Sequence, residues 1–187
     1  MFTFSVLQAV DKVGFTSFIE GACQIENLEN NRITNQLLGS SVLNYDIISS
    51  GKNSSCDIMF TDQVTKIHLE ENTKIKISTE KFSRIIRLFY GNIYIENAKS
   101  EIKTYIQTSH NDIYINDNKI WISTNREYDR LFGIKTYVDI YNHLSKSSII
   151  ATPIVHYQIA SNGDISFDEN LNLIPSYVIN ENYIYQN

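Results

Sequence analysis

Short runs in which every second residue is apolar recur through most of this chain, and no other property of its sequence restricts the fold as much. In an extended strand successive side chains point to opposite faces, so each run describes a strand with one buried face. Cys56, Ile58 and Phe60 fall on one such face, while Asp57, Met59 and Thr61 fall on the other. The same spacing joins Ile67 to Leu69, Ile75 to Ile77, Ile86 to Leu88 and Tyr90, and Ile93 to Ile95. It returns at Ile113 and Ile115, Ile120 and Ile122, and Val138 and Ile140. Turn-forming residues separate the runs, among them Ser50-Gly51-Lys52-Asn53, Thr61-Asp62, Glu71-Asn72, Gly91-Asn92 and Asn116-Asp117-Asn118. Strands at intervals of about eight to twelve residues predict an all-β fold, either a single antiparallel β-sandwich or a jelly roll or roll of short strands. Only 128–131 and 141–147 would admit a helical turn or two. Ser161-Asn162-Gly163-Asp164 reads as a hairpin turn rather than a calcium loop, because the Asp-x-Asp start and distal Glu of an EF-hand are absent.

A chain of 187 residues, 42% of them hydrophobic, is long enough for one well-formed core and suits one domain. A net charge of -5, with no cluster of Lys and Arg, argues against a nucleic-acid surface. No apolar run reaches the roughly 20 residues needed to cross a bilayer as a helix. Cys23 and Cys56 are too few for a disulfide scaffold and lack zinc spacing. They read as two small buried strand residues or, alternatively, as one disulfide. At the amino terminus Phe2 to Ala9 is an apolar octet ending in a small residue. It reads equally as the tail of an export signal, with residues 1–12 a remnant, or as a first strand or flexible end.

Candidate chemistry is sparse. His68, His110, His143 and His156 stand far apart in no metal-binding spacing, and no nucleophile elbow, Walker loop or dinucleotide fingerprint occurs. Glu70-Glu71 and Asp168-Glu169 are neighbours that a strand would point to opposite faces, so they read as solvated charge and not as a proton-sharing pair. No cofactor and no catalytic residue is expected. Aromatic residues alternate with polar ones at Tyr105, Tyr114, Trp121, Tyr137, Tyr141, Tyr183 and Tyr185. Of these, Trp121, Tyr114 and Tyr137 are the candidates for an exposed binding surface, against the background of ordinary sheet packing.

Residues 39–77, GSSVLNYDIISSGKNSSCDIMFTDQVTKIHLEENTKIKI, resemble the core of a FecR domain, whose pattern runs G-x-x-L, GD-x-I-x-T-G, S-x-A-x-I-x-F-x-D-G-S and x-L-x-x-N-T. The likeness is carried by Gly39, Val42, Asp46, Ile48, Gly51, Ser54, Ile58, Phe60, Asp62, Leu69, Asn72 and Thr73, and it continues through Leu88, Gly91 and Ile93. Tyr105 to Thr108 resembles a later strand end, and Val13 to Gly21 the opening hairpin. The resemblance therefore spans about 13–142, leaving 143–187 as an extension expected to add strands to the same core. Tyr45, Gln63 and Asp117 stand where the family pattern has glycine, which asks their turns to tolerate other residues. Physical chemistry gives the motif structural work: Asp46 and Asn53 bonding turn amides, Gly51 supplying a positive φ, Ser54 tying the next strand, and Ile58 and Phe60 entering the core. The resemblance implies an exported, non-enzymatic module, periplasmic or extracellular. Its expected role is to bind a protein or polysaccharide of the cell envelope. The alternative it implies is a sensor linked to a TonB-dependent receptor and working with a separate transmembrane partner.

Overall fold

The computed structural model describes residues 11–28, 32–133, 135–153, 155–167 and 174–178. Its strands form two sheets that share one long strand, β9 (Ser83–Asn97). The first half of β9 pairs antiparallel with β8 (Lys74–Thr79) and parallel with β10 (Lys103–Gln107). The second half pairs antiparallel with β7 (Thr65–Leu69) and β12 (Asn118–Thr124). The handover falls at Gly91, whose φ is +94°. A Cβ there would lie 2.4 Å from Thr73 Oγ1 and 2.6 Å from Thr73 Cα, so only glycine fits.

Sheet A runs β4 (Ser41–Leu43), β1 (Lys12–Glu20), β6 (Ser55–Phe60), β7, β9, β12, β13 (Tyr128–Gly133), β16 (His156–Ala160) and β17 (Ile165–Phe167). Sheet B runs β3 (Arg32–Asn35), β2 (Cys23–Asn27), β5 (Ile47–Ser50), β8, β9, β10, β11 (Asn111–Ile115), β14 (Val138–Asn142) and β15 (Ser148–Ala151). Apart from β9 with β10, the described pairings are antiparallel. Cross-strand rows explain the packing. Ile58, Ile67, Ile95 and Ile120 stand opposite one another across sheet A, and Ile77, Ile86, Ile106, Ile113 and Ile140 do so across sheet B. Both rows belong to one buried cluster, which makes the fold an all-β sandwich. Each buried isoleucine contributes about 1.5–3 kcal/mol before chain entropy is counted.

Buried polar networks tie the sheets at other points. Asp62 accepts from the Val64 and Thr65 amides, the Thr65 hydroxyl and Arg84 Nη2, and Thr65 in turn bonds Asn97. The Arg84 guanidinium lies over the Phe60 ring, 3.7 Å from its centroid. Asp129 of sheet A accepts from Thr108, Asn111 and Thr124, and Asn111 accepts from Asn142.

Local structure refines the sequence reading at the helical turns, at Gly51 and at three turns without glycine. Residues 128–131 are part of β13, and 141–147 complete β14 and a turn in which Lys146 has φ +56°; the described helical turn is at 176–178 instead. Gly51 does not take a positive φ; Asn53 (φ 50°) and Asn72 (φ 52°) bear that conformation beside it. Tyr45, Gln63 and Asp117 have φ of 71°, 57° and 47°. The three positions where the pattern asks for glycine therefore keep glycine's backbone without glycine.

That contrast yields opposed outcomes at two turns. Gly91→Ala should lower the unfolding free energy by roughly 2–4 kcal/mol, since the methyl meets backbone that cannot yield. Gln63→Gly should raise it by about 1 kcal/mol, through relief of left-handed strain reduced by added chain entropy. Urea unfolding of both variants checks the pair.

Candidate functional site

The motif residues converge on a corner. Asp46 is buried and accepts the Leu43 amide at 2.7 Å and Asn27 Nδ2 at 2.9 Å. Ser54 Oγ accepts the Ala22 amide at 2.9 Å and donates to the Lys52 carbonyl. The Gly51 amide donates to the Ala22 carbonyl, and the Gly51 carbonyl accepts the Asn72 amide. Thr73, fully buried, receives the Asn92 amide on its hydroxyl and gives its own amide to Ser50 Oγ. Ser50 Oγ also donates to the Glu70 carbonyl. Ile58 and Phe60 are in the core. The polar side chains of Asp46, Ser50, Ser54 and Thr73 are thus each engaged with backbone of this corner. Asn53 differs from the reading in that its amide donates to Glu71 Oε2.

A second constellation, absent from the sequence reading, covers the outer face of sheet A. Asp57, His68, Tyr94, Trp121, Phe132 and His156 form one cross-strand row. Ile174 and Val178 bury themselves against Tyr94, Trp121 and Phe132. Tyr177 meets the His68 and Tyr94 rings edge-on, at 5.5 and 5.9 Å between centroids. Glu70 joins the layers: its Oε1 accepts Trp121 Nε1 at 2.9 Å and the Tyr177 hydroxyl at 2.7 Å, and its Oε2 accepts Asn92. Burial and the Glu70 carboxylate push the Tyr177 phenol well up. Glu70 is thus a structural acceptor rather than solvated charge. Asp57 is 7% exposed, although it sits on the strand face opposite the core. Its carboxylate meets Lys66 at 2.7 Å and His68 Nδ1 at 2.5 Å. Burial opposes its ionisation, yet the His68 and Lys66 hydrogen bonds outweigh burial and hold the carboxyl below its ordinary value.

The three aromatic candidates do not share a surface. Trp121 is 3% exposed, beneath the segment 174–178, because its strand face carries that second apolar layer; it is not an exposed stacking residue. Tyr137 is 67% exposed, next to β14. Tyr114 is half-buried on the outer face of sheet B, opposite Tyr105, with ring centroids 5.2 Å apart. Together with Asp112, Asp139, Tyr141 and Ser148 these two line a shallow depression of about 270 Å³. The apolar octet 2–9, the pair Asp168-Glu169 and the tyrosines 183 and 185 lie outside the described residues. Among the described residues no group of three or more His, Cys, Asp or Glu side chains is placed to hold a metal ion. No described helix is long and apolar enough to cross a membrane.

Two measurements test these placements. Trp121 is the only tryptophan, so its emission should be that of a dry site. Val178→Asp should shift it to the red and raise acrylamide quenching several-fold; unchanged emission would mean that 174–178 does not cover it. The second concerns acid. A carboxyl held below its unfolded-state value adds stability that is complete above that value and is lost as pH falls through the folded one. Stability should drop below about pH 4, and Asp57→Asn should flatten that limb in pH-dependent urea unfolding.

No family model matches the sequence, and no curated protein matches it. Solved structures do. Two crystal structures of a candidate anti-sigma factor from Parabacteroides distasonis each superpose with a TM-score of 0.57 at 16% identity. The match covers 65% of this chain and 58% of that one, so it spans a little over half of the neighbour's length. At this identity the likeness is one of fold.

Proposed function

We propose that this chain is a FecR-like regulatory module, a non-enzymatic β domain that relays a signal by binding a protein partner. The observation that carries the reading is the fold shared with a candidate anti-sigma factor. The order of FecR-like motif residues through 39–77 supports it independently. In the finer form of the proposal the module is exported, faces the periplasm, and works with a TonB-dependent receptor and a transmembrane partner. The contact surface we favour is the β3 edge of sheet B. Among the described strands β3 pairs only with β2, so its other edge, at Ile33–Asn35, is where an added strand would pair. Beside that edge Ile33, Leu37 and Leu38 are 61%, 71% and 72% exposed, an apolar group suited to the side chains of an extended partner segment.

The test is affinity purification of the tagged chain from its native host, compared with the double variant Leu37→Asp/Leu38→Asp. The proposal expects a receptor or sigma-regulatory protein to be recovered, and the variant, with its melting midpoint kept, to lose about tenfold of that recovery. Recovery of the same protein at equal yield would remove the β3 edge. Absence of any signalling component would remove the regulatory reading.

A second reading rests on the Tyr105–Tyr114 depression. Paired rings beside Asp139 and Ser148 are suited to stacking and hydrogen bonding with a polysaccharide. Saturable binding of an envelope polysaccharide that Tyr114→Ala abolishes would favour it over the first.

A further inference from the structure

Cys23 opens β2 in sheet B, where it pairs with Ser50, and Cys56 lies in β6 of sheet A, where it pairs with Ile19. The two strands belong to different sheets, yet their starts are pinned together. The Ala22 amide donates to Ser54 Oγ at 2.9 Å, and the Gly51 amide donates to the Ala22 carbonyl at 2.9 Å. Gly21, at φ +73°, brings the backbone so close that a Cβ would lie 2.4 Å from Ser54 Oγ. Both cysteines then turn inward, 2% and 0% exposed, into the one core cluster shared by the two sheets. Both are free thiols there, and they interact with each other. That interaction pulls the Cys23 thiol below its ordinary value and pushes Cys56 up.

We propose that Cys23 and Cys56 are an oxidation site: in the presence of a disulfide oxidant they form one intramolecular disulfide that bolts sheet A to sheet B. The step balances as a double exchange. One of the two cysteines, as its thiolate, attacks a sulfur of the oxidant's disulfide, releasing one oxidant thiol. The other, giving up its proton, then attacks the cysteine sulfur of that mixed disulfide and releases the second. Two electrons and two protons pass to the oxidant, which ends as two thiols. Because neither sulfur is open to solvent, the exchange runs during folding or on transient opening of the β2–β3 hairpin, not on the closed sandwich. A bond between residues 23 and 56 closes a loop through strands of both sheets and removes that loop's closure entropy from the unfolded chain.

The inference rests on side-chain placement and not on the regulatory reading, so the two fail separately. Full-length protein is refolded from urea in oxidised glutathione, alkylated in denaturant and mapped by mass spectrometry, with a dithiothreitol-treated sample and Cys56→Ala as references. The expected result is a monomer 2 Da lighter than the reduced chain, a linked peptide pair containing Cys23 and Cys56, no alkylatable thiol, and a melting midpoint raised by roughly 5–15 °C. Any of three outcomes overturns it: two alkylatable thiols after oxidative refolding, linkage between chains or to glutathione only, or a bridged form that melts no higher than the reduced one.

Discussion

Both sheets depend on β9 being a member of each. A strand can leave one sheet and enter another only if its backbone turns without losing its ladder, and that turn is made at Gly91, against the backbone of Thr73. From this the rest follows. Tyr90 still pairs with β8, Asn92 already pairs with β12, and the Thr73 hydroxyl takes the Asn92 amide that the bend would otherwise orphan. The isoleucine rows on either side then face each other across one interior. Hairpins before and after β9 alternate between the sheets, so the chain lays down both layers together.

Hydrophobic rows alone would let two sheets slide, because apolar contact has no direction. Buried carboxylates supply the direction here. Asp62 with Arg84, Thr65 and Asn97, and Asp129 with Thr108, Asn111 and Thr124, each require particular donors at particular places. Buried acceptors of this kind are costly when unmatched and specify one register when matched. Burial opposes the ionisation of Asp62, and the Arg84 guanidinium with two backbone amides prevails, holding its carboxyl below the ordinary value. The residues that form the FecR-like pattern serve the same end. Asp46, Ser54, Thr73 and Gly91 each close a backbone contact within the fold.

Period-two alternation made the sandwich legible, because the strand face a residue occupies follows from its parity. Cys56, Ile58, Phe60, Ile67 and Ile95 are all inside, on the faces that parity assigns. Parity says nothing about a second layer. Asp57, Glu70 and Trp121 sit on outer faces that sequence reads as wet, and a segment more than fifty residues beyond Trp121 covers them. The reason lies in the register, which parity does not reveal: Trp121, Tyr94 and Phe132 stand directly opposite one another, and three large rings in a row seldom face water. Gly51 was misread for a related reason. Turn residues share a loop's positive φ among themselves, and here it falls on Asn53 and Asn72, which tolerate it. Tyr45 and Gln63 could be assigned left-handed turns only through the resemblance, since nothing in their own chemistry asks for them, whereas Asp117 lies in a turn-forming run whose residue type tolerates one.

A fold built on one shared strand should open as one unit. Native-state hydrogen exchange of β9 tests this directly, by comparing the amides of residues 84–90, paired within sheet B, with those of 92–97, paired within sheet A. The account predicts one opening free energy for both halves, equal to that of global unfolding and shifted equally by denaturant. Two distinct opening energies, with one half exchanging well before the other, would contradict it and make the sheets separate units joined by a hinge at Gly91.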